Sequence, residues 1–323
     1  MSKRILTGIQ PSGTLHIGNY FGAMRPSIAL QDSGNDCIYF IANYHAMTSM
    51  PAPADLHQRT FQVAVDFLAA GIDPTRTIFF RQSDVPEVQE LAWFLSCLCP
   101  MGLLERCHSY KDKLAHGLEA NHGLFAYPAL MAADILLYKS QLVPVGKDQK
   151  QHLEVTRDLA IRFNNHFGDI LVVPDAYINE NVAVIPGTDG QKMSKSYNNT
   201  IELFGEGKPV RKKFMGIKTD CTPMGEPMDP DACSVYGLYK LMATPEELDA
   251  MRKNYLENPE FGYGHAKVAL FEKYTEYFAE MRERRKELMA TPEKVEDILQ
   301  DGAARARKVA QATMAEVRAA VGL

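Results

Sequence analysis

Two lysines within five residues, Lys192 and Lys195 in the run Gln191-Lys-Met-Ser-Lys-Ser196, are the side chains in this sequence best suited to chemistry. The segment alternates with serines, follows Thr188-Asp189-Gly190, and is too polar for a core and too short for a charged helix. Such a loop can close over phosphates and withdraw, so that its ammonium groups favour transition-state charge over ground-state charge. Near the N-terminus, Ser12-Gly-Thr-Leu-His-Ile-Gly-Asn-Tyr20 offers a matching piece. Gly13 can take a positive φ, and the helix that follows presents unpaired N–H groups and a positive dipole end. His16 and Asn19, three apart, can share a face, while Gly18 and Gly22 let a base or backbone approach closely. The pattern is not G-x-G-x-x-G, so a nicotinamide dinucleotide has little support. Taken singly, each segment also reads as a basic surface loop or an ordinary turn and helix. As a pair they are expected in an enzyme that activates a carboxylic acid with ATP.

A second constellation lies mid-chain. Tyr127, Met131 and Asp134 are spaced by four and three, so one helical face presents them together. Asp134 stands in Leu130-Met-Ala-Ala-Asp-Ile-Leu-Leu-Tyr138, where a carboxylate is costly unless a donor satisfies it. It reads either as a structural carboxylate tied to a backbone amide or arginine, or as a ligand-reading group at the end of an apolar slot. His45 follows an apolar run, and the end of a parallel strand is where ligands usually bind. Gly146 opens a compact polar turn that continues into Asp148 and Gln149. Lys111 and Lys113, two apart, can both reach a cleft only from an extended segment or loop. Cys97, Cys99, Cys107 and His108 lie among leucines at spacings that match no usual zinc pattern. They are expected to be buried thiols, and no metal ligand set is expected.

The elements that must position these groups follow from periodicity. Ile5–Ile9, Asp36–Ala42 and Thr77–Phe80 are expected strands. Asp55–Ala70 is an expected helix, with Leu56, Phe61, Val65 and Leu68 at helical spacing and a stop at Gly71-Ile-Asp-Pro74. Strands separated by helices imply a parallel α/β sheet of Rossmann-like design. Residues 86–170 read as mainly helical, with a helix starting at Pro128, a favoured first-turn position. Past Leu171–Pro174 the chain enters the lysine-bearing loop. From Lys208 the pattern is helical apart from Pro223–Pro230, and Pro292–Val321 reads as one or two amphipathic helices able to pack back on the N-terminal part. The expected division is a catalytic domain over 1–205 with a helical insertion, then a helical domain over 206–323.

A formal net charge of −5 argues against indiscriminate nucleic-acid binding but allows a local basic face. The clusters Arg282/Arg284/Arg285/Lys286 and Arg305/Arg307/Lys308 are candidates for one, and also read as solvated helix faces. No apolar stretch is long enough for a membrane span, and the N-terminus reaches a turn too early for a signal peptide. A chain of this size needs no disulfide framework, so a reducing cytoplasm is expected.

Ser12–Tyr20 and Lys192–Ser196 resemble the paired signatures of class I aminoacyl-tRNA synthetases. With Gly8–Gly13, Gly71–Pro74, Tyr127–Tyr138 and Val143–Asp158, the chain resembles bacterial-type tryptophanyl-tRNA synthetases over essentially its whole length. That resemblance implies ATP-dependent activation of L-tryptophan to tryptophanyl-adenylate, release of pyrophosphate, and transfer to the 3' end of tRNA(Trp). It implies ATP contacts at Gln10, Ser12, Gly13, His16, Gly18, Asn19, Gly146 and Asp148, and at Lys192, Met193, Ser194, Lys195 and Ser196. It implies tryptophan contacts at Gly8, His45, Tyr127, Met131, Asp134 and Gln149, with Asp134 accepting the indole N–H. It implies catalytic roles for Lys113, Lys192 and Lys195. The resemblance further implies that Mg2+ accompanies ATP, that the helical domain recognises the anticodon, and that the protein is a cytoplasmic homodimer with no membrane association. The chain departs from many relatives at Lys147, where they commonly carry an acid, and at Asn43-Tyr44, where they carry Asp-Gln. A tyrosyl-tRNA synthetase and a regulatory paralogue that kept the fold are the alternatives at this level.

Overall fold

The computed structural model describes residues 2–107, 121–146, 150–177 and 185–323. Arg4–Ile9 (β1), Asp36–Ile41 (β2), Ile78–Arg81 (β3), Leu142–Pro144 (β4) and Asp175–Tyr177 (β5) form one sheet. Every pairing is parallel, in the order β3-β2-β1-β4-β5. Both faces are covered, which is why β2 is buried at every position after its first and reads as a continuous apolar run. The order reverses at β1, and the carboxyl ends of strands around such a switch point form the usual ligand crevice of open α/β sheets. The first three strands lie where the sequence pattern puts them. β4 and β5 fall instead in stretches read as helical and as loop, because three residues are too few to register a period.

Helix Pro53–Ala70 stops at Gly71, whose φ of 118° lets its N–H turn back to the Leu68 and Phe67 carbonyls. The helix carrying Asp134 runs His122–Leu137, so Pro128 lies inside it and does not start it. Asn121 sets that earlier start, accepting the Leu124 N–H at 2.8 Å as an N-cap. The end of the chain is a single helix, Pro292–Val321, that crosses the edge strand β3. Val295 and Leu299 enter the core cluster on one side with Ile5, Tyr39 and Phe79. Ala303, Ala306, Ala310, Met314 and Val317 enter the cluster on the other side with Leu6, Ile38 and Phe80. Gly302 marks the crossing, since a Cβ there would lie 1.9 Å from the Phe79 carbonyl oxygen. The helix therefore packs back on the sheet as expected, and it covers an edge that would otherwise be open.

The basic clusters of the C-terminal half are largely engaged within the fold. Arg282 is buried, stacks on Tyr274 and donates to the Thr275 carbonyl; Arg284 donates to the Ala69 carbonyl, and Arg285 pairs with Asp66 at 2.6 Å. Lys286 pairs with Glu206 and Glu283, Arg305 with Asp301, and Arg307 with Glu87. Arg284, Arg285 and Arg307 tie helices to the sheet domain, while Arg282 and Lys286 make these contacts within the C-terminal half, uses that sequence clustering does not distinguish from an RNA-facing patch. The expectation of buried thiols also needs correcting. Cys107 is buried and Cys99 half-buried, but Cys97 is exposed on the outer face of helix Glu87–Leu98, and His108 lies outside the described residues.

Candidate active site

After β1 the chain turns through Gln10 to Gly13, where the Ser12 N–H donates to the Gln10 carbonyl at 2.8 Å and Gly13 has a φ of 112°. The short helix Ile17–Asn19 then opens with His16 as its N-cap, and the His16 N–H donates to Asn19 Oδ1 at 3.1 Å. Backbone bonds tie this segment to the chain just beyond the lysine loop: Ile17 N–H to the Ile201 carbonyl and Leu203 N–H to the Leu15 carbonyl, each 3.0 Å. The two signatures consequently touch. A Cβ on Gly18 would meet the His16 ring at 2.9 Å and Met193 Cβ at 3.3 Å, so only glycine fits between them without displacement. Lys195 Nζ stands 3.5 Å from Ser12 Oγ. Burial, with the Lys195 charge adding to it, lowers the His16 pKa to about 4, so the ring is neutral near pH 7. Its Nδ1 has no partner among the described residues. Partial burial and then the Arg59 charge lower the Lys195 pKa.

Asn199 holds the lysine loop in shape. Its side chain accepts the Ser194 N–H at 2.8 Å and donates to Asp189 Oδ1 at 2.7 Å and the Lys192 carbonyl at 3.1 Å. Met193 anchors the loop from below, its side chain buried in the core. Lys192, Lys195 and Ser196 remain exposed and Ser194 partly so, and Lys195 reaches the Ser12–Gly13 turn.

On the other side of the switch point, Asp134 is 3% exposed and receives three hydrogen bonds. Gln82 Nε2 donates to both carboxylate oxygens at 2.8 and 2.9 Å, and with Asp134 ionised His45 Nε2 donates to Oδ2 at 2.8 Å. Burial raises the Asp134 pKa, against the opposing effect of these partners. Tyr127 packs edge-on against His45 with centroids 5.5 Å apart, and its hydroxyl meets His152 Nε2 at 2.9 Å. Met131 and Tyr127 are half-buried on the same helical face as Asp134. The result is an aromatic and thioether wall with one carboxylate at its end, suited to a flat apolar ring that carries a single N–H. Gln10 links the two halves, donating to the His45 carbonyl at 3.3 Å.

Residues 2–318 match a family model described as tRNA synthetases class I (W and Y). Tryptophan–tRNA ligase from Rhodopirellula baltica is 52% identical over 320 residues, covering 99% of both chains. The Campylobacter jejuni tryptophan–tRNA ligase is 49% identical over 320 residues, 99% of this chain and 100% of its own. The chain belongs to the tryptophanyl-tRNA synthetase family. A crystal structure of the Campylobacter jejuni tryptophanyl-tRNA synthetase, complexed with ADP and tryptophan, superposes with a TM-score of 0.94 at 49% identity, covering 99% of this chain and 100% of that one.

In this tryptophanyl-tRNA synthetase fold, Ser12, Gly13, His16, Gly18, Asn19 and Lys195 come together as one cradle, and His45, Tyr127 and Asp134 as one cluster with Met131 on the same helical face. Gly8, at the end of β1, sits against the Phe40 ring, where a Cβ would come within 2.5 Å of ring carbon. Gly146 is exposed after β4. Lys111, Lys113, Lys147, Asp148 and Gln149 lie outside the described residues. Gly22 faces open space, so close approach is not what its position requires. Sequence reasoning passes over Gln82, His152 and Asn199. The end-of-strand rule that singles out His45 after β2 applies equally to Gln82 after β3, whereas nothing local marks Asn199 as a loop anchor.

Proposed function

We propose that the Asp134 pocket takes the indole of L-tryptophan, and that the Ser12–Asn19 cradle with the Lys192–Ser196 loop takes ATP. The reaction is ATP-dependent activation of tryptophan to tryptophanyl-adenylate with pyrophosphate release, then transfer of the tryptophanyl group to the 3' end of tRNA(Trp). The observation that carries the pocket assignment is a buried carboxylate facing an aromatic wall. A ring without an N–H leaves that carboxylate short of a donor, at a cost of about 1–3 kcal/mol or more.

The substrate carboxylate is already a nucleophile, so no enzyme side chain need be acylated. It attacks the α-phosphorus and displaces pyrophosphate, and the protein contributes alignment and stabilisation of phosphate charge. Lys195 and Lys192 face the phosphates from the loop, with Lys113 as a third cation. Neutral His16 and the N–H groups of the first helical turn supply donors without added charge. Mg2+ fits this donor set as an ion carried by the phosphates: the cradle offers lysines, hydroxyls and N–H groups, so the ion's ligands would be phosphate oxygens and water. When bound it neutralises developing charge on the departing pyrophosphate.

We keep 206–323 as the anticodon-recognising part, with the boundary near residue 205. A homodimer is supported by the outer face of Glu87–Leu98 and the following turn, where Trp93 is 68% and Met101 62% exposed beside half-buried Phe94 and Leu98. No helix of the described residues is long and apolar enough to cross a membrane. Free cysteines and a role in translation fit the cytoplasm.

The test is amino-acid-dependent ATP–pyrophosphate exchange with tryptophan, tyrosine and phenylalanine in the presence of Mg2+. Exchange with tryptophan alone is expected. Exchange only with tyrosine would overturn the pocket assignment, and none with any of the three, with tRNA supplied, would favour a regulatory paralogue.

A further inference from the structure

The strand ends nearest Asp134 hold each other through a reciprocal pair of side-chain amides. After β2, Asn43 accepts the Ser83 N–H at 3.0 Å and donates to Ser83 Oγ at 2.8 Å. After β3, Gln82 answers: its Oε1 accepts the Tyr44 N–H at 3.0 Å while its Nε2 donates to Asp134. The Tyr44 bond decides which way round the Gln82 amide lies. A flipped amide would set its NH2 against a backbone N–H and its oxygen against a carboxylate. Gln82 is 2% exposed, so solvent does not compete for its N–H groups. The departure from Asp-Gln to Asn43-Tyr44 thus sits in the clamp that orients the pocket, one step removed from the ligand.

We propose that Gln82 is a positioning residue for tryptophan recognition: fixed by the Tyr44 N–H, with Asn43 holding the adjacent Ser83, its amide keeps the Asp134 carboxylate turned toward the ring site as acceptor of the indole N–H. The inference rests on the reading of Asp134 as the indole partner. Two effects meet at Asp134. Burial favours its protonated form, and the hydrogen bonds from His45 and Gln82 favour the carboxylate. Without Gln82, His45 alone opposes burial, and a protonated carboxyl is a weaker and misdirected acceptor. Among the described residues, the titratable groups around Asp134 are His45 from helix Asn43–Ala46 and Tyr138 just past the end of its own helix, with Tyr127 and His152 behind His45.

The experiment uses the full-length chain carrying Gln82→Met, close in size but without amide donors. Exchange kinetics are measured with tryptophan and with an analogue bearing sulfur in place of the indole N–H, from mildly acidic to mildly alkaline pH. The KM for tryptophan is expected to rise about tenfold or more while the KM for ATP stays put. The preference for tryptophan over the sulfur analogue should shrink by a similar factor. The acid limb of kcat/KM for tryptophan should move to higher pH, because Asp134 then gives up its proton later. A folded Gln82→Met protein with wild-type preference and an unmoved limb overturns the proposal. Should that variant not fold, Gln82→Glu sets a second carboxyl against Asp134 in the same shape, and unchanged tryptophan preference there overturns it equally. Asp134→Ala separates the two readings. If it keeps the preference for tryptophan over the sulfur analogue, the indole-partner reading fails; if it loses that preference while Gln82→Met keeps it, only the Gln82 inference falls.

Discussion

Burial and then the Lys195 charge set the state of His16, while burial and then Arg59 act on Lys195. A lysine 3.5 Å from Ser12 Oγ needs no large movement to reach a phosphate seated on the Gly13 turn, which is why charge stabilisation, more than binding, is its expected contribution. Lys195→Ala should lower the rate of adenylate formation about a hundredfold or more with a much smaller change in the KM for ATP, measured by single-turnover adenylation. An unchanged chemical step would remove the lysine from the mechanism. For His16 the sign runs through protonation. The unfolded chain takes up the proton near pH 6.5 and the folded one only near pH 4, so stability falls as pH drops across that interval and levels off below it. The loss attributable to this one ring approaches about 3 kcal/mol. Urea denaturation at a series of pH values should show it, and His16→Asn should flatten the slope. The residue types and spacings that suggest phosphate chemistry were legible in the sequence; the neutral state of His16 was not, because it depends on burial and on a lysine far along the chain.

The elements divide between those whose own sequence specifies them and those whose neighbours do. Helix Pro53–Ala70 carries its stop in Gly71, and the final helix carries its periodicity, so both are legible locally. The start of helix His122–Leu137 depends on a single cap at Asn121, and a proline further along misdirects the reading. Strands β4 and β5 exist because β1 and β4 offer them a partner, and their own three residues carry no signal. The crossing of the final helix over β3 turns on Gly302. Gly302→Ala should push the helix off the Phe79 carbonyl, destabilising the protein by about 1–3 kcal/mol or more. In urea the midpoint should fall with little change in slope. A variant as stable as the wild type would show that the helix can slide without loss.

At the scale of the whole molecule, the C-terminal half cannot be removed cleanly from the sheet. The final helix contributes to the core clusters on both sides of β3, and Arg81–Glu296, Arg307–Glu87 and Arg318–Glu90 pin it along its length. Those pins grip the segment from Arg81 to Glu90, the same stretch that carries Gln82 to Asp134. Ending the chain before Pro292 uncovers the β3 edge and the Ala303–Val317 contact surface. The truncated protein is expected to be aggregated or to lack a cooperative thermal transition. A soluble fragment that melts cooperatively and retains tryptophan-dependent exchange would refute this. The basic clusters belong to the same account, since their arginines secure helices whose packing the sequence alone does not reveal.

By itself the sequence indicated the class of chemistry and the parallel α/β plan, and it set Tyr127, Met131 and Asp134 on one helical face, because spacing on a helix or at a strand end is a local property. Only the tertiary structure decided that residues 201–203 strap the lysine loop to the His16 turn, that Gln82 donates to Asp134 beside the Asn43–Ser83 pair, and that most of the clustered C-terminal arginines find partners within the fold. Each of these turns on which groups meet across the sheet, and a contact between distant segments leaves no periodicity in either of them.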